Sequence, residues 1–273
     1  MSNNGHAAKR PNSRGVKLNK RFIATHDGYD FYSVNGYAVR DIAQPDEEFG
    51  CFATRDAFPK LIPKGEVWLA EQTIDKEGLF FIANALTQLK EQARGVPEER
   101  AYTEGINVER MLRERLNHLK FRGAGPQKRV PEEIYVRTYA TLPDKDATVT
   151  VWIVDGNVVR TLYKTDYTEG GHGYVYPWVP NDEIWIEESL DPRELPYVVA
   201  HEFLEHRLMR DAKLDYDTAH EICSKVEFQL RKNKKVKLFL APGRRKIHKR
   251  DLPKLASEEL FEYVLNHYVK TRK

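Results

Sequence analysis

Residues Ala200 to Glu221, AHEFLEHRLMRDAKLDYDTAHE, gather three of the chain's nine histidines with three glutamates, and Ala-His-Glu occurs twice among them. Imidazole nitrogens and carboxylate oxygens are the donors that divalent transition metals take from proteins. Helical periodicity decides which of them could share an ion. Tyr197, His201, Leu204 and Leu208 recur at i, i+4, i+7 and i+11, the buried stripe of a helix running from near Leu195 to Arg210. Asp191 with Pro192, or Pro196, marks its start. His201 therefore points inward. Glu205 follows one turn on, about 40° round the helix. A buried imidazole beside a buried carboxylate needs a partner, and a cation bound by both would serve. Glu202 stands about 100° from His201, at the flank. His206 stands about 140° away, among Arg207 and Arg210, where exposure is expected.

A second helix begins around Asp215 or Asp217, either of which can cap it. Tyr216, Ala219, Cys223, Val226 and Leu230 share one face, His220 flanks it, and Glu227 lies two turns further along the same side. The short turn at Lys213–Asp215 makes the two helices antiparallel neighbours, which brings His220 back towards the first. His201, Glu205 and His220 then form the His₂Glu set of catalytic zinc, with a fourth position left for water. The cofactor expected is zinc or another divalent transition metal. Glu202 is placed to act as general base. Cys223, one turn after His220, offers a fourth donor that would instead make the site structural.

On these residues the stretch resembles the active-site helix of zincin-type metallopeptidases, in which His-Glu-x-x-His supplies two ligands and a catalytic glutamate. The likeness spans about 25 residues and departs at one place: the second histidine position holds Glu205, with His206 displaced by one. It implies His201 as a ligand, Glu202 as the catalytic glutamate, and a second ligand that is either Glu205 or His206. The activity it implies is zinc-dependent, peptidase-like hydrolysis.

The elements that must carry this set occur twice. FYSVNGYAVR (31–40) matches VWIVDGNVVR (151–160) at Val34/Val154, Gly36/Gly156, Val39/Val159 and Arg40/Arg160. PKGEVWLAEQ (63–72) matches PNDEIWIEES (180–189) at Pro63/Pro180, Glu66/Glu183, Trp68/Trp185 and Glu71/Glu188. Offsets of 120 and 117 fit one alignment with a small gap, so the chain reads as an internal duplication. Asn35-Gly36 and Asp155-Gly156 predict β-hairpins. Each copy then runs through a loop, a strand (EVWLAE or EIWIEE) and two helices. The fold class expected is α+β: two tandem degenerate repeats, each a small antiparallel or mixed sheet followed by two helices. The boundaries are a basic flexible arm (1–21), the first repeat (22–118), a linker (119–131), the second repeat (132–232), a basic segment (233–250) and a C-terminal helix (251–273). The alignment sets Asn84, Ala85, Gln88 and Ile106 opposite His201, Glu202, Glu205 and His220, so the first copy carries none of the donor set. EGGHGY (169–174) does not lead into a helix and is no phosphate-binding P-loop. It is expected to be a flexible rim; a cap on the metal site from His172 is the lesser alternative.

Charge is unevenly spread. Residues 1–21 hold six Lys or Arg and no acid, residues 231–250 hold ten and no acid, and residues 22–230 hold 24 basic against 37 acidic side chains. Two basic arms on an acidic body can seek nucleic acid or an acidic protein surface. Only Phe239 is interleaved as an aromatic in 231–250. No apolar run approaches the ~20 residues of a membrane span. The N-terminal stretch lacks a signal peptide's apolar core. Two cysteines are too few for a disulfide framework, so a cytoplasmic setting is expected and no membrane partner. A second functional reading follows from the arms: a non-enzymatic structural or adaptor protein of a large assembly, its arms binding nucleic acid or neighbouring subunits, its His–Glu set only clamping two helices.

Overall fold

The computed structural model describes residues 17–42, 49–126, 129–144, 147–231 and 258–269. Most of the expected basic arm (1–21), the basic segment (233–250) and the first part of the C-terminal helix (251–273) lie outside these residues. The chain divides into two compact units, Met1–Glu71 and Gln72–Lys273.

The first unit is a four-stranded sheet. Strands β1 (Arg21–His26) and β2 (Tyr29–Val34) form an antiparallel hairpin. Its turn is Asp27-Gly28, with φ of 51° and 83°, the left-handed pair that a two-residue hairpin needs. Helix α1 (Gly36–Ile42) and strand β3 (Phe52–Thr54) follow, and β4 (Glu66–Ala70) closes the sheet in the order β1-β2-β4-β3. The β2/β4 pair is parallel and the β3/β4 pair antiparallel. Val34, Val39, Phe58 and Trp68 fill the core beneath it.

The second unit opens with the helix pair α2 (Ile74–Ala93) and α3 (Glu98–Asn117). Its sheet holds β5 (Tyr135–Asp144), β6 (Ala147–Val154), β7 (Gly170–His172) and β8 (Glu183–Glu187), in the order β5-β6-β8-β7. Helix α4 (Gly156–Leu162) follows β6. Helices α5 (Leu195–Asp211) and α6 (Tyr216–Arg231) follow β8 and pack on each other. A short helix α7 (Glu258–Val264) buries Leu260, Phe261 and Val264. The core centres on Val154, Val159, Tyr163, Tyr167, Trp178 and Trp185. No helix among the described residues is long and apolar enough to cross a membrane.

The architecture is α+β, with two tandem copies of a mixed sheet followed by two helices. The copies share particular strand pairings and hydrogen bonds. Asp30 pairs with Glu66 across β2/β4, and Thr150 pairs with Glu183 across β6/β8, the same 120 and 117 offsets read from the sequence. Glu71 N–H donates to Val34 O at 2.8 Å, and Glu188 N–H to Val154 O at 2.9 Å. Both tryptophans, Trp68 and Trp185, donate their indole N–H at 2.7 Å to the glutamate two residues earlier.

The hairpins expected at Asn35-Gly36 and Asp155-Gly156 are absent. Each is instead a strand-to-helix junction. Asn35 Oδ1 accepts from Ala38 N–H at 3.1 Å, and Asp155 Oδ1 from Val158 N–H at 3.2 Å. The side chains cap helices α1 and α4, a role Asn and Asp fill as readily as a turn. Because β2/β4 and β6/β8 are parallel, each connection must cross over, and a hairpin could not have made it.

A buried ion network ties the first copy's helices to the second copy's sheet. Arg160 of α4 is fully buried and donates to Glu187 of β8 (2.7 and 3.0 Å), to Tyr167 O (2.9 Å) and to Glu77 of α2 (2.8 Å from Nε). Arg113 of α3, also fully buried, donates to the same Glu77 at 2.7 Å and to Glu109 at 2.8 Å. Burial pushes the Glu187 carboxyl up, but the charge and hydrogen bonds of Arg160 outweigh it and hold the group below the usual range.

Candidate metal centre

Helix α5 presents His201 and Glu205 one turn apart, and α6 returns to set His220 against both. Lys213, at a φ of 56°, takes the left-handed conformation that ends α5. Asp215 then caps α6, its Oδ1 accepting from Thr218 N–H at 2.9 Å. The three donor atoms form a small triangle. His201 Nε2 lies 3.3 Å from His220 Nδ1 and 3.5 Å from Glu205 Oε2, and His220 Nδ1 lies 2.9 Å from Glu205 Oε2. Ligand atoms held ~2.0–2.1 Å from a tetrahedral ion stand about 3.3 Å apart. The triangle has that size, so the residues fit a divalent cation with no gross movement.

The outer nitrogens fit as well. His201 Nδ1 donates at 2.8 Å to Glu227 Oε2, since a carboxylate only accepts. That fixes a proton on Nδ1, so Nε2 is the nitrogen that could offer a lone pair to an ion in the triangle, the carboxylate–histidine pairing common behind metal ligands. Glu227 is itself gripped by Arg231, with Nε at 2.9 Å and Nη2 at 2.6 Å. His220 Nε2 faces Ser224 Oγ at 3.5 Å. Burial works against a charge on His201, but hydrogen bonds and charge from Glu205 and Glu227 raise its pKa well above the ordinary value. Burial likewise works against Glu205, yet hydrogen bonds from His172, His201 and His220 hold it well below the usual carboxylate range. The surroundings draw positive charge into the triangle.

Glu202 lies half-buried beside this set. One donor atom each from His172, Glu202 and Glu205 lie within 4.8 Å of one another. Strand β7 passes so close that a Cβ on Gly170 would stand 3.1 Å from Glu202 Oε1 and 3.0 Å from Ile186. Glycine there leaves the glutamate its room.

Three expectations need correction. His206 is buried, not exposed: its Nε2 donates to Asn181 O at 2.8 Å, and burial lowers its pKa to about 4. It lies outside both donor groups, whereas Glu205 belongs to each of them. The reason is that α5 is buried on nearly every side, Arg207 included, so angle from the apolar stripe says little about exposure. The Gly-Gly-His segment is a buried sheet strand, not a flexible rim, and His172 has no exposed surface. Cys223 is buried but outside both donor groups, its thiol pushed up by burial and by Glu205, Glu202 and Glu227.

In the first copy the equivalent place is filled. Asn84, opposite His201, donates to Glu109 Oε2 at 2.6 Å, and Gln88, opposite Glu205, donates to Asn84 Oδ1 at 2.7 Å. Arg113 closes the set through Glu109. Among the described residues, no group of His, Cys, Asp or Glu donors that could hold an ion gathers there. Glu227's part in the second copy has a signal in the sequence: it stands seven residues after His220 and four before Arg231, all on one side of α6.

Comparison with known proteins returns nothing. No protein family, no curated protein and no solved structure matches this chain.

Proposed function

We propose that this chain is a divalent-metal-binding protein and that its second copy is a zinc-dependent hydrolase of peptidase-like type. One observation carries the reading: His201 Nε2, His220 Nδ1 and Glu205 Oε2 converge with edges of 2.9 to 3.5 Å, while Glu227 holds the outer nitrogen of His201. A zinc ion bound by these three would supply a Lewis acid for a substrate carbonyl and acidify a water at its fourth position. Glu202, adjacent on α5, takes the proton from the attacking water and returns it to the leaving group as general base and then acid. Glu227 and Arg231 keep His201 in the one tautomer that can bind. His220, 28% exposed, and the exposed ring of Tyr216 beside it (centroids 5.2 Å apart) mark the side from which substrate enters. Two free cysteines, Cys51 and Cys223, suit a reducing cytoplasmic setting. The basic arms at 1–21 and 233–250 would add affinity for nucleic acid or an acidic protein surface.

The test is elemental analysis of protein purified without a histidine tag, followed by turnover on a broad peptide and ester panel with and without chelator. Zinc near one equivalent with chelator-sensitive turnover supports the reading. Metal-free protein whose melting temperature ignores added zinc would leave the His–Glu set as a helix clamp and the chain as a structural or adaptor protein.

A further inference from the structure

Glu205 divides its carboxylate between two directions. Oε2 faces the triangle with His201 and His220, while Oε1 lies 3.2 Å from His172 Nε2. His172 comes from strand β7, across from α5, and has no exposed surface. It is firmly held. It pairs with Ile184 of β8, and its own carbonyl accepts from Val175 N–H at 3.0 Å and Tyr176 N–H at 2.9 Å. Two roles are open to such a residue. It could be a ligand of a second cation shared with Glu202 and Glu205, or it could be a donor that orients Glu205.

The hydrogen bond on its other nitrogen decides between them. Tyr174 N–H points at His172 Nδ1 from 3.3 Å. A backbone N–H only donates, so Nδ1 carries the lone pair. A ring proton then belongs on Nε2, aimed at Glu205 Oε1. A protonated nitrogen cannot bind a cation. A histidine that faces Glu205 becomes a ligand only by moving its proton to the other nitrogen, as His220 can, its Nε2 facing the Ser224 hydroxyl at 3.5 Å. For His172 to be a ligand through Nε2, the proton would have to move to Nδ1 and face the Tyr174 N–H, two donors head to head.

We propose that His172 is a positioning residue: its Nε2–H holds Glu205 Oε1, so that Glu205 offers the triangle one oxygen and the centre takes one cation rather than two. This rests on the metal-centre reading above. It leaves Glu202 free of ligand duty, as a proton carrier requires. It also gives the glycine-rich EGGHGY segment its reason. Gly170 makes room for Glu202, and Gly171 makes room for the Tyr176 ring, so that β7 can lie close enough for His172 to reach Glu205.

Two measurements on the full-length chain test it. In the cation-free protein, two-bond proton–nitrogen NMR correlations of ¹⁵N-histidine, assigned with His172→Gln, should place the His172 proton on Nε2. A proton found on Nδ1 overturns the proposal. In zinc titration by calorimetry the wild type should take one equivalent. His172→Gln, which keeps an N–H donor, should stay near wild-type affinity. His172→Leu should lose ~10–100-fold, the usual cost of removing a group that orients a ligand. With cobalt in place of zinc, the visible bands should shift in His172→Leu and return in His172→Gln. Two equivalents in the wild type, falling to one in both variants, would make His172 a ligand and overturn the assignment. So would unchanged affinity in His172→Leu. A wild type that takes no zinc at all brings down the metal centre itself, and the positioning role with it.

Discussion

His201 and Glu227 meet at 2.8 Å, Nδ1 to Oε2, across two helices that the chain joins by the turn at residues 212–215. The contact does more than join α5 to α6. It selects which imidazole nitrogen is free, and that nitrogen faces Glu205 and His220. The first prediction follows. Zinc, or another transition metal, should co-purify near one equivalent, and His201→Ala should abolish it. Glu227→Gln should retain the fold but weaken zinc ~10–100-fold by loosening the tautomer and ring orientation. Competition with a chromophoric chelator gives both affinities.

Acid should unfold the second unit through buried carboxylates outside the metal centre as well as through Glu205 within it. Hydrogen bonds from Arg210 hold Asp144 below the usual carboxylate range against the opposing effect of burial, and Arg160 does the same for Glu187. Both folded-state values are depressed, so their stabilisation is complete above the unfolded values of about 4 and is lost as pH falls through the folded ones. The melting temperature should drop steadily from about pH 5 downward. Arg210→Gln should flatten part of that slope, which thermal melts from pH 7 to pH 3 would reveal. An identical profile in the variant would remove Asp144 from the account.

How much of this was legible in the chain depends on which residues are considered. Trp68 and Trp185 revealed the duplication because a buried tryptophan bonded to the glutamate two before it constrains sequence tightly. His201, Glu205 and His220 could be placed together because helix geometry is local and the turn between the helices is short. Asn35-Gly36 misled because the same dipeptide serves a hairpin or a helix start, and only the parallel pairing of β2 with β4 distinguishes them. His206 misled because α5 is enclosed on nearly all sides, a property of the tertiary structure rather than of the helix. The Glu77–Arg160 pair spans 83 residues, and no periodicity joins positions so far apart.

That pair should be costly to break. Arg160 is fully buried between Glu77 and Glu187, so Arg160→Leu would leave Glu187 buried with the Ser189 hydroxyl but no cation beside it among the described residues, and Glu77 with Arg113 in place of two arginines. Removing one partner of a buried ion pair costs ~3–5 kcal/mol. The urea midpoint of the second unit should fall accordingly with little change in m-value. Glu188→Gln is the control: its Lys76 partner is largely exposed, and such surface pairs contribute ~0–1 kcal/mol. Similar losses in both variants would show that the buried network is no more than a surface pairing in energetic terms.

The basic arms make a separate prediction. Neutralising Arg244, Arg245, Lys246, Lys249 and Arg250, or deleting residues 1–20, should weaken duplex DNA binding and flatten its salt dependence. Every phosphate that the variant no longer neutralises lowers the slope of log affinity against log salt by ~0.9. Filter binding or fluorescence anisotropy across 50–200 mM salt reads this directly. No binding at the lowest salt would assign the arms to protein contacts.

Glu202 and Glu205 are three residues apart on α5, and the two readings of the site differ most over them. In the hydrolase, Glu205 is a ligand and Glu202 is not. Glu202→Gln keeps shape and hydrogen bonding but removes the base, so zinc content and melting temperature should hold while turnover falls by ~10²–10⁴. Glu205→Gln should lose zinc, because a neutral amide oxygen is a far poorer donor than a carboxylate and because His172 and His220 would both lose the anion they face. In a helix clamp the order reverses. Glu205→Gln would still disturb a buried contact, whereas Glu202→Gln at the half-buried flank would shift stability by no more than ~0.5 kcal/mol and change nothing else. Zinc content, melting temperature and turnover measured side by side for wild type, both variants and chelator-treated protein separate the two. Turnover that survives Glu202→Gln intact would show that another group carries the proton.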